Sequence, residues 1–530
     1  MAVDAISLEV FKNMFISVSE EMGVALQRTA YSPNIKERRD FSCAVFDPQG
    51  QMVAQAAHVP VHLGAMPASV RAALDTFPNA LRPGDIVILN DPYKGGTHLP
   101  DITMVAPVYF EEAGQKRMAG FVANRGHHSD VGGMTPGSLP LSTELYQEGT
   151  IIPPIKLARG GRLNQEVIQL ICRNSRTPEE RKGDLAAQIA SIKVGERRLQ
   201  EITQRYGMDE TQEHMGALLD YSERLTRLAI GRIPDGVYRV VDYMDDDGIS
   251  EQPVPIVVAI TVAGQELTID FTGTSPQRPG CINAPHAVTV SACLYVIRCI
   301  VGEEAPANQG CLRPLHIITP RGSLLNPEPQ RGVAGGNVET SQRITDVLFS
   351  ALAQALPELI PAASQGTMNN LLIGGHDLAR EKPFVYYETI AGGMGARTTK
   401  DGISGIHTHM TNTMNTPIEA LEFAFPLRLK RYALRRGSGG RGQYNGGDGL
   451  IRDVEFLTPA RVTILSERRK FPPPGFHGGH HGETGENVLL RGGFEEVHLA
   501  GKETFDVEAG DVLSIRTPGG GGWGEPDDEE

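Results

Sequence analysis

Between Gly95 and Gly133 the chain reads GGTHLPDITMVAPVYFEEAGQKRMAGFVANRGHHSDVGG, which sets His98, His127 and His128 with Asp101 and Asp130 around two short apolar runs. Imidazole and carboxylate groups gathered at one point, with positions left for water, are what a catalytic divalent metal requires. Such a site can polarise a carbonyl or generate hydroxide near neutral pH. These donors suit zinc, manganese or iron, and the ligand set alone does not choose among them. The competing use is local, with His98 and Asp101 capping a turn around Pro100 and the later histidines bonding to backbone. No HExxH signature decides between the two.

Whether the side chains meet depends on the elements that carry them. ITMVAPVYF and MAGFVANR are rich in β-formers and EEAGQK has turn composition, so an antiparallel hairpin is expected. With its turn centred near Ala113 and Gly114, Asp101 falls opposite roughly Gly126 and beside His127, and His98 falls next to Ser129 or His128. A second hairpin is expected in DFSCAVFDPQGQMVAQAAH, its open end pairing Asp40 with Ala57 or His58. Asp40 and His58 are therefore candidates to complete the shell and to move protons. Asp91 in NDPYKGG either holds a ligand histidine or makes an Asx turn. His480 and His481, among glycines, read as a solvent loop, and Glu339, Arg343 and Asp346 in GGNVETSQRITD read as surface or interfacial ion pairs.

The wider chain has 530 residues, 40% of them hydrophobic, which is room for about three domains. Residues 4–30 have apolar positions at helical spacing, VHLGAMPASVRAALDTF reads as a helix, and DIVILND reads as a strand. One or two long helices are expected from Pro178 to about Ile233, and strand signals from about 236 to 277. Helices then fit AVTVSACLYVIRCIVG and TSQRITDVLFSALAQAL, and short β-like runs follow beyond 430. An α+β fold of several mixed helix and antiparallel sheet segments follows. The division expected is 1–235 with the metal-site residues, 236–430, and a glycine-rich, β-rich 431–530.

A net charge of −14 argues against wrapping nucleic acid, and LRRGSGGRGQYNGG is read as turns rather than an RNA-binding tract. No apolar run of about 18 residues appears, so no membrane span is expected. The N-terminus has an acidic residue where a signal peptide carries basic ones, so a cytoplasmic location is expected, and disorder is expected in the tail EPDDEE. The six cysteines form no CxxC pair, and no GxxxxGK[ST] is present, so any nucleotide is expected on another chain.

The blocks ERRDFSCAVFD, HVPVHLGAMP, GDIVILNDPYKGGTHLPDI, GHHSDVGGMTPGS, RGVAGGNVETSQRITD, HTHMTNTMNTPIE, YALRRGSGGRGQYNGGDG and TPGGGGWGEP run nearly end to end. In this order they resemble the hydantoinase B / 5-oxoprolinase family. That family includes the B subunits of ATP-dependent hydantoinases, bacterial 5-oxoprolinase and caprolactamase, and related subunits of acetone and acetophenone carboxylases. The resemblance implies a hydantoinase B-like fold and a two-component enzyme. In it, an ATP-binding partner of the hydantoinase A type uses ATP with magnesium to phosphorylate a substrate oxygen. A chain of the present kind holds a divalent metal (Zn or Mn) and completes the reaction in an A2B2 hetero-oligomer. The ligands the resemblance implies here are His98 and Asp101 of THLPD, a histidine of GHHSD, taken as His127 by counting back from Asp130, and Asp40 of RRDF.

The implied reaction opens the ring of a cyclic amide (hydantoin, 5-oxoproline or a lactam), with His127 at the reacting centre and Asp40 or His58 accepting a proton. Ketone carboxylation is the competing activity in the same family. The compact spacing of HLPD and GHHSDVGG is more similar to the oxoprolinase-type members. A third reading, a non-catalytic scaffold, is separated from both by metal analysis of the chain.

Overall fold

A computed structural model describes residues 3–526 except 57, 113, 303 and 304. The expected partner Ala57, the turn residue Ala113 and the tail from 527 lie outside the described residues.

The first helix, α1 (Ala5–Thr29), starts where the Asp4 side chain accepts from the Ile6 and Ser7 amides. Its apolar positions Phe11, Phe15, Val18, Met22 and Leu26 recur every three or four residues and are buried. Helix α2 (Pro33–Lys36) follows, then strands β1 (Phe41–Phe46) and β2 (Met52–Gln55), helix α3 (Ala65–Thr76) and strand β3 (Ile86–Leu89). The long hairpin β4 (Asp101–Glu112) and β5 (Gln115–His127) comes next, followed by β6 (Ile155–Arg159) and β7 (Arg162–Leu163). These strands form one sheet in the order β2-β1-β5-β4-β3-β6-β7. Helix α4 (Gln165–Arg173), α5 (Pro178–Tyr206) and α6 (Met208–Ile230) complete this part, α5 packing on both hairpin strands.

The hairpin has a feature that composition does not reveal. Near the turn Glu112 faces Gln115 and Tyr109 faces Met118, but Val108 faces Gly120, so β5 carries one extra residue at Ala119. Beyond this bulge every pairing is displaced by one, and Asp101 stands opposite His127 instead of Gly126. A shift of one residue exchanges the two faces of a strand, so the bulge decides which side chains share the site.

Strands β8 (Gly236–Met244), β9 (Val254–Ala263), β10 (Glu266–Asp270) and β11 (Leu315–Ile318) make a second sheet covered by α7 (His286–Val301) and α8 (Ser341–Ala353). A π-helical turn, Gly336–Thr340, leads into α8. Glu339, Arg343 and Asp346 are buried there and not at a surface. Helix α8 is covered on every side by the second sheet and later segments, and its charges meet partners far away in sequence: Arg343 reaches Asp242 at 3.1 Å and Glu467 at 3.4 Å, and Asp346 reaches Arg468 at 2.5 Å.

Strands β12 (Asn370–Asp377) and β13 (Lys382–Glu388) share a third sheet with Ala460–Leu465 and Lys502–Val507. The division expected at 430 falls inside the strand Leu427–Arg435 and would cut through that sheet, because β12 hydrogen-bonds to residues 460–465 across it. The first strand of the second sheet begins at Gly236.

The glycines of LRRGSGGRGQYNGG and TPGGGGWGEP do more than form turns. Extended segments stack backbone on backbone, with Gly440 donating to Gly520, Gly520 to Gly447 and Gly447 to Met394 at 2.8–2.9 Å. Among the described residues, no helix is long and apolar enough to cross a membrane.

Candidate metal centre

Residues directly opposite on an antiparallel pair project to the same side, so Asp101 and His127 leave the sheet together. His98 lies in the tight chain entry to β4, where the Asp101 amide donates to its carbonyl. The His98 Nε2 atom is 3.2 Å from His127 Nδ1 and 3.2 Å from Asp101 Oδ1, and the last two are also 3.2 Å apart. Donors bound to one zinc ion at about 2.0–2.2 Å stand roughly 3.0–3.5 Å from one another, so this triangle has the right size. It lines a cavity of about 20 Å³ together with Asp40, His62 and Asn337. That is room for an ion and not for a ring.

Hydrogen bonding within the protein does not satisfy this cluster. His98 Nε2 has one lone pair or one hydrogen, yet faces His127, Asp101 and, at 3.1 Å, the Asn337 amide. Asp101 Oδ1, His98 Nδ1, His127 Nε2 and Asn337 Oδ1 are buried with no hydrogen-bond partner. Buried orphans call for a physical reason, and a cation shared by Asp101 Oδ1, His98 Nε2 and His127 Nδ1 would supply one for Asp101 Oδ1 and for the crowding at His98 Nε2.

The surrounding shell holds these donors in their ionisation states. Thr97 donates to Asp101 Oδ2 at 2.7 Å, leaving Oδ1 toward the imidazoles. Burial alone would raise the Asp101 carboxyl, but the neighbouring imidazoles of His98, His62 and His127 overcome it and hold the group well below the usual carboxylate range. Burial pushes His127 down against the opposing pull of Asp40 and Asp101, so its ring keeps a free lone pair at neutral pH. Arg125 lies buried behind Asp101, donating to Thr103 and Ser69 at 2.8 Å, and burial lowers it only to about 10, so it stays charged.

Of the residues singled out in the sequence, the structure brings together His98, Asp101 and His127, with Asp40 on the pocket wall. The Asp40 carbonyl also accepts the His127 amide at 3.0 Å. His128, one residue along, turns to the opposite face and bonds Gln188 of α5 at 2.9 Å. Asp130 pairs with Arg176 at 2.8 Å. Asp91 makes the Asx turn, accepting from the Tyr93 amide at 2.9 Å, and contacts none of the site imidazoles. His480 and His481 are exposed.

His58 does not join the cluster. Its ring packs on Phe41, its Nδ1 accepts the Cys43 amide at 3.1 Å, and it occupies space left open by Gly23. The chain turns through Pro60–His62, and His62 takes the place expected of His58, with Nε2 3.4 Å from Asp101 Oδ2 and Nδ1 2.9 Å from Ser42. The offset of one turn within HVPVHLG is the signal that would have found it. Asn337 has no such signal: it is a neutral side chain among the charges of GGNVETSQRITD, and only the packing of that segment brings it to His98.

The environment of His58 yields a test. Burial, with a smaller push from His62, lowers its imidazole from 6.5 to about 4. In the unfolded chain it takes up a proton near pH 6.5, whereas the folded chain resists until about pH 4, so its contribution is complete above that window and drains away as pH falls through it. Compared with a His58→Phe chain, the wild type should lose roughly 3 kcal/mol between pH 7 and 4. Denaturant unfolding at the two pH values measures the difference.

Behind His58 a cavity of about 980 Å³ is lined by Lys12, Arg298, Arg397, His407 and His409. Two chain segments divide it from the small pocket. His58, Pro60, Thr408 and His409 face the large side, while Val59, Val61, Met410 and Thr411 face the small one, and the Val61 amide bonds Met410 across the partition.

A family profile described as hydantoinase B/oxoprolinase matches residues 4–526. The chain is 42% identical over 528 residues to an uncharacterized protein of Methanocaldococcus jannaschii, covering 99% of this chain and 91% of the relative. It is 42% identical to 5-oxoprolinase 1 of Arabidopsis thaliana, covering 98% of this chain but 42% of that longer protein. A putative D-/L-hydantoinase B-type subunit of a Pseudomonas species is 33% identical, with 100% of this chain and 91% of the relative covered. Among solved structures, the ATP-dependent caprolactamase of Pseudomonas jessenii superposes with a TM-score of 0.91 at 27% identity, covering 99% of this chain and 92% of that one. An acetone carboxylase chain shares the fold at 17% identity, with a TM-score of 0.85 over 98% of this chain and 76% of that one.

Proposed function

We propose, from the premise that the chain belongs to the hydantoinase B/oxoprolinase family, that it is the ring-opening component of an ATP-dependent cyclic amide hydrolase. Its partner in this reading is a separate ATP-binding chain of the hydantoinase A type, in an A2B2 assembly. The chain spans about four-tenths of the Arabidopsis relative, and the name of the Pseudomonas relative as a B-type subunit supports a division of labour between chains. The observation that carries the reading is the triangle of His98 Nε2, Asp101 Oδ1 and His127 Nδ1 at 3.2 Å in a buried pocket.

A resonance-stabilised amide is a poor electrophile. In the proposed sequence the partner transfers a phosphoryl group from ATP to the amide oxygen, giving an imidate phosphate. Water then adds to the ring carbon, the C–N bond of the ring opens as the nitrogen leaves protonated as the amine, and the resulting acyl phosphate is hydrolysed by a second water to carboxylate and inorganic phosphate. His98, Asp101 and His127 would hold a zinc or manganese ion with Asp40 beside them, and that ion would supply Lewis acidity and a more acidic water. Asp40, at the pocket wall, is the base that accepts the water's proton. His62 helps keep Asp101 ionised, Thr97 holds it turned inward, and Arg125 stays charged behind it. The larger cavity, on the other side of the 58–61 and 407–411 partition, has the volume for a substrate ring and is assigned as the side from which the ring approaches.

The test is turnover by the assembled complex. With ATP and 5-oxoproline, hydantoin or a lactam, ADP should appear together with ring-opened product, and omission of either chain should stop both. ATP-dependent incorporation of labelled bicarbonate, with no ring opening of any cyclic amide, would overturn the assignment in favour of carboxylation. A purified chain free of stoichiometric zinc or manganese, yet still required for turnover, would point to a scaffold.

A further inference from the structure

Glu339 is a buried carboxyl without an ion-pair partner among the described residues, on the π-helical turn Gly336–Thr340. An apolar side chain would be cheaper there. Its Oε1 accepts from the Asn370 side-chain amide at 2.7 Å and from the Met368 backbone at 3.0 Å. The second hydrogen of the Asn370 amide goes to the Leu465 carbonyl at 2.9 Å, and its oxygen accepts from the Tyr387 hydroxyl at 2.9 Å. Asn370 can therefore be turned only one way, and Tyr387 is anchored at its hydroxyl end.

The Tyr387 ring lies flat against His127, with centroids 4.7 Å apart and planes 19° apart, and the Arg38 guanidinium stands 4.7 Å from the same ring centroid. Two residues before Glu339, in the same turn, Asn337 meets His98 Nε2 at 3.1 Å. The turn is itself pinned: a Cβ at Gly336 would lie 1.8 Å from the Asn283 carbonyl oxygen, and Thr340 bonds the Ile282 carbonyl at 2.5 Å. One short π-helical segment thus reaches both imidazoles, His98 directly and His127 through Asn370 and Tyr387. Such segments recur at functional sites, where an irregular turn aims side chains a regular helix would not.

We propose that the Gly336–Thr340 turn orients both site histidines, and that Glu339 is a positioning residue whose hydrogen bond to Asn370 fixes the His127 ring through Tyr387. The inference rests on the divalent-metal reading given under Proposed function. Its test uses the full chain, with Co²⁺ as a spectroscopic probe and Zn²⁺ in competition with a chelator.

Glu339→Ala and Asn370→Ala are expected to weaken zinc binding by about 10–100-fold, the usual effect of losing a group that orients a ligand, and to alter the Co²⁺ absorption bands. Glu339→Gln, whose amide oxygen can accept the same bond, should restore both. Tyr387→Phe keeps the stacked ring and removes only the hydroxyl, and should give the same change in the bands if the alanine chains do not fold. Folded Glu339→Ala or Tyr387→Phe chains, with wild-type melting, affinity and Co²⁺ spectrum, would overturn the proposal while leaving the metal reading standing. A wild type that binds neither ion defeats both.

Discussion

On the proposed metal-dependent ring-opening reading, a chain carrying Asp101→Asn is expected to bind no divalent metal and to slow ATP-dependent ring opening by about 10³-fold or more, while keeping its fold. Asparagine fills the same space and can still accept the Thr97 hydroxyl, now made to the Asp101 Oδ2 atom at 2.7 Å. What it lacks is the negative charge. Asp101 is the single carboxylate among three donors whose other members are imidazoles, and it is the group the surrounding residues hold deprotonated. Metal analysis after dialysis against a weak chelator, paired with turnover of the assembled complex, reads both effects. Thr97→Val should be milder, about 10–100-fold in metal affinity, because it frees Asp101 to turn without removing its charge. Full metal content and full turnover in Asp101→Asn would show that the triangle of donors is a buried polar cluster and no more.

Gly446→Ala is expected to prevent folding, for a reason that lies far from the chemistry. A Cβ at this position would lie 1.9 Å from the Gly520 carbonyl oxygen and 2.5 Å from its carbon, and both belong to backbone that is hydrogen-bonded on several sides. No side chain can rotate aside to relieve the overlap. Segments 393–395, 439–449 and 519–522 must part, which costs at least about 4 kcal/mol and places the change among the most damaging single substitutions. Gly437→Ala is the control. Its φ is +81°, but nothing lies within 4 Å of the added carbon, so only the left-handed backbone penalty of about 1–2 kcal/mol remains. Soluble yield and thermal melting of the two chains should separate sharply. The same stacked segments carry Met394 and Arg397 to the wall of the large cavity, so partial loosening should also reach the substrate side.

Much of the architecture was legible in local patterns. The first helix, the strand DIVILND, the long hairpin, the paired helices after Pro178 and the helices over 286–301 and 341–353 all follow apolar periodicity and turn composition. Those signals are short-ranged, and the elements obey them. Composition also changes near 430, but sheet pairing between residues 370–377 and 460–465 spans that point, because strand partners are not set by composition along the chain. The surface reading of Glu339, on the π-helical turn, and of Arg343 and Asp346 on α8 failed because helical spacing records which residues are neighbours along one helical segment and says nothing about what covers them.

Within the site the division is equally physical. Residue types and a hairpin were enough to bring His98, Asp101 and His127 to one end of one ribbon, since antiparallel pairing makes distance from the turn a measure of proximity. Tertiary structure decided what pairing alone leaves open. A single bulged residue at Ala119 chose Asp101 and His127 as partners and sent His128 to the helix side, and a turn at Pro60 exchanged His58 for His62. Asn337 and Glu339 arrived from more than two hundred residues away on a turn whose packing no local pattern encodes. The donors are a property of the sequence; their common direction is a property of side-chain faces, which a one-residue register change reverses and which only the packed chain sets.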